Sequence, residues 1–288
     1  MGMNIQTIKD IRQYLSSQLN GIYPGSEISA LTNIIIKTVT GASKLHHLAM
    51  PESQVSEDQA ERIINICKDL EGGRPIQYIL GETDFYNCTI KLNDATLIPR
   101  PETEELVDLV ITENKGFNGK ILDVGTGSGC IAIALAANLR GAEITGIDIS
   151  GKAIEIARDN SKINSVNVTL ITADLFSADH NLFSNTDIIV SNPPYVREIE
   201  KKFINDNVLN YEPHEALFVP DSDPLQFYRA ILDLSVKILV TGGKVYFEIN
   251  EALGTEMYEL MKSYSFTNVF IVPDLTGKPR IAKGIKNA

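Results

Sequence analysis

Apolar residues recur at helical spacing between Ile5 and Leu70. Three stripes each fall on one face of a helix, and the third follows Ser56, which has the capping-box spacing to Gln59. The stripes comprise Ile5, Ile8, Ile11, Leu15 and Leu19; Ile28, Leu31, Ile35 and Val39; and Ala60, Ile63, Ile64, Cys67 and Leu70. Gly72 and Gly73 are typical of a helix end. The pattern predicts a small helical bundle over residues 1–74.

The hydrophobic pattern changes twice after this segment. Short extended runs such as residues 89–92 indicate a β-hairpin linker over residues 75–98. From Lys120 onward, apolar strands alternate with amphipathic helices. The predicted strands are 121–124, 143–148, 168–172, 187–191, 244–249, 266–272 and 280–285, and the predicted helices are 131–138, 152–163 and 225–240. This alternation favours a doubly wound α/β fold with a mainly parallel sheet over residues 99–288.

Composition and the absence of long apolar runs indicate where the protein is located in the cell. Hydrophobic residues make up 43% and charged residues 22% of the 288 residues, which is ordinary for a folded protein. No apolar run approaches the roughly 18 residues that a transmembrane helix requires. The N-terminus also lacks the basic-then-apolar order of a secretory signal. We therefore expect a cytoplasmic protein that does not bind membranes.

Charge and cysteine content narrow the choice of ligand. A net charge of −11 argues against tight binding to long duplex DNA, because such binding requires Lys and Arg to neutralise phosphates. The acidic balance favours a small-molecule cofactor and a protein partner. Cys67, Cys88 and Cys130 are odd in number and scattered, and the four histidines are dispersed. The sequence therefore predicts neither a disulfide framework nor a metal site.

A glycine-rich loop joins the first predicted strand of the sheet to the following helix. It reads Asp-Val-Gly-Thr-Gly-Ser-Gly over residues 123–129. Glycines let the backbone turn tightly and let a ligand approach the main chain closely. A dinucleotide loop would read Gly-x-Gly-x-x-Gly and place a pyrophosphate at the helix N-terminus. The spacing here suits a ligand without phosphate, such as S-adenosylmethionine, with a purely structural turn as the alternative. The expected contacts are Gly125, Thr126, Gly127, Ser128 and Gly129.

Acidic residues end the next two strands. Asp148 is placed to accept hydrogen bonds from both ribose hydroxyls of such a cofactor, each worth roughly 1.5–3 kcal/mol. Its alternative role is to cap the helix that begins near Ser150. We expect Asp174 to accept from the adenine amino group while Leu175 or Phe176 covers the ring, although this tripeptide is also common in ordinary turns.

The chemistry is predicted to reside in Asn192-Pro193-Pro194-Tyr195, which follows the fourth strand of the sheet. A planar nitrogen whose lone pair is delocalised is a poor nucleophile. Two acceptors, the Asn192 side-chain oxygen and the Pro193 carbonyl, would orient such a nitrogen through its N–H groups. Consecutive prolines make the loop rigid, and Tyr195 offers a flat face for stacking. The loop therefore indicates methyl transfer to a weakly nucleophilic nitrogen.

These motifs resemble the HemK/PrmC family of release-factor glutamine methyltransferases over nearly the whole chain. Three further stretches carry the resemblance: residues 73–81, reading Gly-Arg-Pro-Ile-Gln-Tyr-Ile-Leu-Gly; residues 97–106, reading Leu-Ile-Pro-Arg-Pro-Glu-Thr-Glu-Glu-Leu; and residues 211–217, reading Tyr-Glu-Pro-His-Glu-Ala-Leu. The resemblance implies a Rossmann-like methyltransferase domain with a seven-stranded sheet, and an N-terminal helical domain that binds the release factor.

The resemblance also implies a reaction. The family methylates the glutamine side-chain amide in the Gly-Gly-Gln motif of bacterial class I peptide release factors and produces S-adenosylhomocysteine. By resemblance, residues 125–129, Asp148, Leu175 and Asn192 contact the cofactor. Residues 192–195 hold the glutamine, and residues 197–223 help to form the partner cleft. It further implies a monomer. Some relatives carry an aromatic residue at the position of Leu175.

Three other residues have less defined expectations. Arg100 is expected at the domain junction near the cofactor, and His214 is expected to make a loop contact rather than to act as a base. Glu248 ends a strand that looks buried, and the sequence leaves open whether it is structural or lines the site.

Three alternative functions share parts of this pattern. A ribosomal-protein glutamine methyltransferase has the same loop, but its junction typically reads Pro-Arg-Ser-Pro, where this chain has Pro99-Arg100-Pro101-Glu102. A nucleic-acid amino methyltransferase would need charge that follows the phosphate backbone, which the net charge disfavours. A binding module without catalysis would not require residues 192–195 beside an intact glycine loop.

Overall fold

The computed structural model describes residues 5–177 and 180–287. Their contacts divide them into two compact units, which are described separately. The first unit comprises the chain up to Gly81 together with Asp206–Tyr211, and the second comprises Glu82–Asn205 together with the chain from Glu212 onward.

Helices and strands account for most of both units. The helices are α1 Ile8–Leu19, α2 Gly25–Thr40, α3 Lys44–Ala49, α4 Glu57–Glu71, α5 Ile76–Leu80, α6 Pro101–Glu113, α7 Cys130–Asn138, α8 Gly151–Ile163, α9 Asp206–Tyr211, α10 Gln226–Ile238 and α11 Gly254–Ser263. The strands are β1 Glu82–Phe85, β2 Cys88–Lys91, β3 Lys120–Val124, β4 Glu143–Asp148, β5 Thr169–Thr172, β6 Thr186–Ser191, β7 Val196–Arg197, β8 Phe218–Val219, β9 Leu239–Glu248, β10 Phe266–Pro273 and β11 Pro279–Lys286. None of the helices in the described residues is both long and apolar enough to cross a membrane.

The first unit is a helical bundle around one apolar core. The predicted stripes of α1, α2 and α4 supply this core. The capping box at the start of α4 is present: Ser56 Oγ accepts from the Gln59 amide at 3.2 Å, and Gln59 Oε1 accepts from the Ser56 amide at 3.0 Å. The pattern did not predict α3, because its leucines Leu45 and Leu48 are exposed and form no buried stripe. It also indicated extended structure where α5 is helical.

A seven-stranded sheet forms the centre of the second unit and confirms the predicted fold class. The strand order is β10-β11-β9-β6-β3-β4-β5. The five strands from β9 to β5 are parallel, and β11 is antiparallel to both of its neighbours. The chain leaves β3 toward β4 on one side and later returns to β6 on the other. The strand order therefore reverses between β3 and β6, where open α/β sheets leave a crevice at the carboxyl ends of their strands.

The hairpin β1–β2 belongs to the second unit, where two asparagines of α8 bind its backbone. Asn160 Oδ1 accepts from the Lys91 amide at 2.7 Å, and Asn164 Oδ1 accepts from the Thr89 amide at 3.0 Å. Asn160 Nδ2 also donates to the carbonyls of Lys91 and Ser128. One buried side chain thus connects the hairpin to the glycine loop. The three cysteines are free and buried.

Candidate active site

A cavity of about 490 Å³ lies at the carboxyl edge of the sheet, beside the ends of β3, β4, β5 and β6. Most residues predicted for the site line this cavity: Gly125, Thr126, Gly127, Ser128, Asp148, Asp174, Leu175, Asn192, Pro193 and Pro194. Gly129 and Tyr195 are not among the lining residues. The sequence motifs for cofactor and substrate therefore meet in a single crevice.

The glycine loop lines this cavity with backbone atoms that carry no side chains at its glycines. Gly125, Gly127 and Gly129 have φ values of +72°, +55° and +81°, which L side chains rarely adopt. A Cβ atom on Gly125 or Gly127 would meet no atom within 4 Å, so these positions leave room for a ligand. A Cβ on Gly129 would lie 3.0 Å from the Ala157 Cβ. Gly129 is therefore required for packing against α8, not for space in the cavity.

Hydrogen bonds fix the loop from both sides. The amides of Gly125 and Thr126 both donate to the Ile147 carbonyl of β4 at 2.9 Å. Thr126 Oγ1 donates to Asp123 Oδ2 at 2.6 Å. Burial raises the pKa of the fully enclosed Asp123 to about 7, although the bond from Thr126 acts in the opposite direction.

Asp148 ends β4 with its carboxylate anchored to the backbone. Oδ2 accepts from the Gly127 amide at 2.9 Å, and Oδ1 accepts from the Ser150 amide at 2.8 Å. Burial raises the pKa of Asp148, while these two bonds lower it. The cap of α8 is Ser150 itself, whose Oγ accepts from the Ala153 amide at 3.2 Å. Each carboxylate oxygen has more than one acceptor site, so Asp148 retains capacity for a ligand.

The carboxylate of Asp174 stabilises its own turn. Oδ1 accepts from the Phe176 amide at 2.9 Å, and Oδ2 accepts from Ser177 Oγ at 3.1 Å. Leu175 is half-buried against the core, whereas Phe176 is exposed, with its ring centroid 5.8 Å from that of Phe227. Asp174, Leu175, Phe176 and Phe227 all line the cavity.

The loop after β6 is linked to a buried carboxylate. Asn192 Nδ2 lies 3.1 Å from Thr103 Oγ1, and Thr103 Oγ1 donates to Glu248 Oε2 at 2.6 Å. Tyr195 Oη donates to the other oxygen, Glu248 Oε1, at 2.9 Å. Both ends of the loop therefore connect to one side chain at the end of β9.

Glu248 is completely buried in this position. Burial raises the pKa of its carboxyl group, while the bonds from Thr103 and Tyr195 and the charge of Arg280 lower it. Burial next to the Glu248 charge also holds the pKa of the Tyr195 phenol well above its usual value. The sequence left open whether Glu248 is structural or lines the site. The hydrogen bonds from Thr103 and Tyr195 connect it to the site.

Arg100 and His214 make contacts outside the loop of residues 192–195. Arg100 Nη2 lies 2.6 Å from Glu212 Oε1. The His214 ring packs edge-on against Phe218, with centroids 5.2 Å apart, which agrees with the expected loop contact.

Several residues of the cavity wall were not predicted from the sequence. The first is Thr103, and the others include Ala95, Thr96, Leu97, Pro99, Phe227 and Ile231. A signal for Thr103 existed, because a proline such as Pro101 is favoured at the first position of a helix. A helix starting there has Thr103 in its first turn. Nothing in the sequence identified the partners of Thr103, which are 89 and 145 residues away.

The residues of the cavity fit an adenosine cofactor that has no phosphate group. Two glycines leave open space above the backbone, a carboxylate with spare acceptor sites ends β4, and apolar side chains such as Ile131, Ile147 and Leu175 line the walls. The glycine loop contains no lysine that would hold a phosphate. This set of groups suits the adenosine portion of a cofactor such as S-adenosylmethionine.

Comparisons with known proteins agree with this architecture. A family model described as "PrmC N-terminal domain" matches residues 10–81, and one described as "Methyltransferase small domain" matches residues 103–214. A protein of Flavobacterium psychrophilum named release factor glutamine methyltransferase is 44% identical over 280 residues, which cover 96% of this chain and 98% of that protein. A protein of Bacteroides thetaiotaomicron with the same name is 43% identical over 94% of this chain and 97% of its own length.

Solved structures share the fold at much lower identity. A methyltransferase from Pyrococcus furiosus superimposes with a TM-score of 0.51 at 16% identity, covering 81% of this chain and 100% of that chain. At this identity the likeness concerns the fold alone.

Proposed function

This chain belongs to the release factor glutamine methyltransferases, and we propose that it methylates the glutamine of the Gly-Gly-Gln motif in bacterial class I peptide release factors. The methyl group would pass from S-adenosylmethionine to the side-chain amide nitrogen. The observation that carries this proposal is the shared cavity, in which the glycine loop and Asp148 lie beside residues 192–194. Cofactor and target nitrogen can thus occupy adjoining parts of one crevice.

The proposed cofactor contacts follow the cavity wall. They are Gly125, Thr126, Gly127, Ser128, Gly129, Asp148, Asp174, Leu175 and Asn192, of which Gly129 acts by packing the loop onto α8. Asp148 would accept from the ribose hydroxyls with the acceptor sites that its two backbone bonds leave. Bound there, S-adenosylmethionine supplies an electrophilic methyl group and leaves as S-adenosylhomocysteine.

Residues 192–195 would orient the glutamine. The Asn192 side-chain oxygen and the Pro193 carbonyl accept from the two N–H groups of the target amide and direct its lone pair toward the methyl group. The two prolines keep this pair of acceptors rigid. Tyr195 donates its hydroxyl proton to Glu248, which fixes the ring that would flank the amide. No strong base is needed, because the nitrogen loses a proton to water readily once it is methylated. Proximity and alignment can contribute up to roughly 7–11 kcal/mol to lowering the barrier.

The helical N-terminal residues, 1–74, would contribute to binding of the release factor, and we expect the enzyme to act as a monomer. The net charge of −11 supports a protein substrate over a nucleic acid. Because the proposed substrate is a translation factor, the reaction would take place in the cytoplasm.

A transfer assay with methyl-labelled S-adenosylmethionine tests the proposal. The substrates are a purified bacterial class I release factor and its variant with alanine in place of the Gly-Gly-Gln glutamine. The enzymes are wild type, Asn192→Ala and, as a matched control, Asn118→Ala, which alters an exposed asparagine of the same unit. We expect label only on the wild-type factor, lost with Asn192→Ala and retained with Asn118→Ala.

Absence of transfer by an enzyme that binds the cofactor would refute the release-factor substrate. Transfer to a large-subunit ribosomal protein or to nucleic acid in the same assay would then identify which alternative applies.

A further inference from the structure

With Glu248 ionised, the hydrogen bonds between Asn192 and Glu248 have only one consistent direction. An ionised carboxylate can only accept, and a threonine hydroxyl has a single proton. Thr103 lies 2.6 Å from Glu248 Oε2 and must donate that proton to it. The hydroxyl can therefore offer only a lone pair to Asn192, so the group that faces it at 3.1 Å is the amide nitrogen, Nδ2.

This direction decides how the Asn192 amide is turned. An asparagine side chain has an oxygen and a nitrogen that are interchangeable in shape, and its hydrogen-bond partners determine which one points where. With Nδ2 held by Thr103, Oδ1 is the atom left for a ligand in the cavity that Asn192 lines. The reversed amide would oppose two acceptors, Oδ1 and Oγ1, without a proton between them.

From this relay we infer that Glu248 and Thr103 are positioning residues, which hold the Asn192 amide with its oxygen available to accept from the substrate nitrogen. This inference rests on the proposed function, because it assigns a purpose to the orientation of Asn192. Glu248 is 0% and Thr103 2% exposed, so both partners of the relay are buried. The second carboxylate oxygen accepts from Tyr195, so the same residue also fixes the ring at the far end of the loop.

Isosteric variants separate this role from general stability. Thr103→Val removes the hydroxyl, and Glu248→Met removes both acceptor oxygens at nearly the same side-chain length. Thr103→Ser retains the hydroxyl. Thr186→Val is a matched control, since Thr186 is 3% exposed, starts the strand that Asn192 follows and donates to the Phe183 carbonyl at 2.7 Å.

We expect Thr103→Val and Glu248→Met to lower kcat on the order of 100-fold, the effect of a misaligned reacting group. The Kd for S-adenosylmethionine, measured by calorimetry, should change by less than about 3-fold, because the relay directs the Asn192 oxygen that accepts from the substrate and the other cofactor contacts stay in place. Thr103→Ser should restore most of the lost kcat, and Thr186→Val should lower stability without lowering kcat. If both isosteric variants keep the wild-type kcat on the methylated substrate, the positioning role is wrong and the proposed function stands.

A second measurement does not depend on the substrate. In protein labelled with ¹⁵N-asparagine, the side-chain amide protons of Asn192 should exchange with solvent more slowly than those of the exposed Asn118. Thr103→Val should remove this protection, and Thr103→Ser should keep it. Rapid exchange at Asn192 in the wild-type protein would overturn the relay even if the release factor proved not to be the substrate.

Discussion

Arg100 and Glu212 form an ion pair across 112 residues of chain, with Arg100 Nη2 at 2.6 Å from Glu212 Oε1. The Glu212 side chain is 1% exposed, and its second oxygen accepts from the Ile98 amide at 3.3 Å. Leu97 and Pro99, which flank Ile98, line the cavity. The pair therefore ties one wall of the candidate active site to the segment that follows α9.

Removal of Arg100 should destabilise the protein through the charge that it leaves behind. Arg100→Ala removes the cation that faces a buried carboxylate, and we expect a loss of about 1–3 kcal/mol in the free energy of unfolding. The exposed pair Lys162–Asp159, at 3.0 Å, provides the control, because such pairs contribute under about 1 kcal/mol. Urea unfolding of Arg100→Ala and Lys162→Ala measures both. Equal losses would show that burial of Glu212 does not matter.

Asp148→Asn should weaken cofactor binding without unfolding the protein. Asparagine offers one acceptor oxygen where the carboxylate has two, and both carboxylate oxygens already accept from backbone amides. Loss of one charge-assisted bond, roughly 1.5–3 kcal/mol, should raise the Kd for S-adenosylmethionine about 10- to 100-fold. Calorimetry measures the Kd, with Asp159→Asn on the exposed side of α8 as the control. An unchanged Kd for Asp148→Asn would remove Asp148 from the proposed cofactor contacts.

Much of the second unit could be predicted because its sequence signals are local. Buried parallel strands are short apolar runs, and β3, β4, β5 and β6 lie within two residues of their predicted bounds. The positions of the glycine loop and of residues 192–194 at one edge follow from that alternation alone.

Other elements escaped prediction for physical reasons. Helix α6 begins at Pro101 without a capping side chain on Arg100, so the proline alone marks its start. Helix α11 begins at Gly254 without a capping side chain, so its start has no signal. The partners of Glu248 are separated from it by 53 and 145 residues, and no periodicity encodes such contacts. The fold was therefore predictable, but the hydrogen bonds behind the site were not.

Asp123 should make stability depend on pH in a defined direction. Burial raises its pKa to about 7 from an ordinary value of 3.8, and the charge of Asp148 acts in the same direction. Because the folded state binds this proton more tightly than the unfolded chain, Asp123 favours folding below pH 3.8 and loses that contribution as the pH rises toward 7.

The comparison of wild type with Asp123→Asn isolates this group. The free energy of unfolding of wild type minus that of Asp123→Asn should fall between pH 5 and pH 7, by up to about 1.4 kcal/mol per pH unit, and level off above pH 7. Urea unfolding of both proteins at pH 5, 6, 7 and 8 gives this difference, in which titrating groups that do not interact with Asp123 cancel. A difference that is flat, or that rises with pH, would contradict the raised pKa.

Two glycines of the loop should respond differently to alanine. Both Gly125 and Gly129 have positive φ, which costs a side chain about 1–2 kcal/mol. Gly129→Ala should lose about 1–3 kcal/mol more, because its Cβ would crowd Ala157 and Ile133. Gly125→Ala meets open space and should instead weaken cofactor binding. Urea unfolding and calorimetry on both variants test this division, which fails if Gly125→Ala proves the less stable of the two.

Asn160 should matter for both stability and cofactor binding, because its side chain joins the hairpin to the glycine loop. It is 0% exposed and satisfies three backbone groups: the amide and the carbonyl of Lys91, and the carbonyl of Ser128. Asn160→Ala leaves these groups buried without that partner, at about 1–3 kcal/mol for each group that stays unsatisfied.

The matched control is Asn164→Ala, one turn later on α8. Asn164 bonds the amide and the carbonyl of Thr89 in the same way but is half-exposed, so water can replace it. We expect Asn160→Ala to lower the free energy of unfolding more than Asn164→Ala, and to weaken S-adenosylmethionine binding through the released Ser128 carbonyl. Urea unfolding and calorimetry on both variants provide the comparison. If Asn164→Ala weakens cofactor binding as much as Asn160→Ala does, the effect passes through the hairpin rather than through the bond to Ser128.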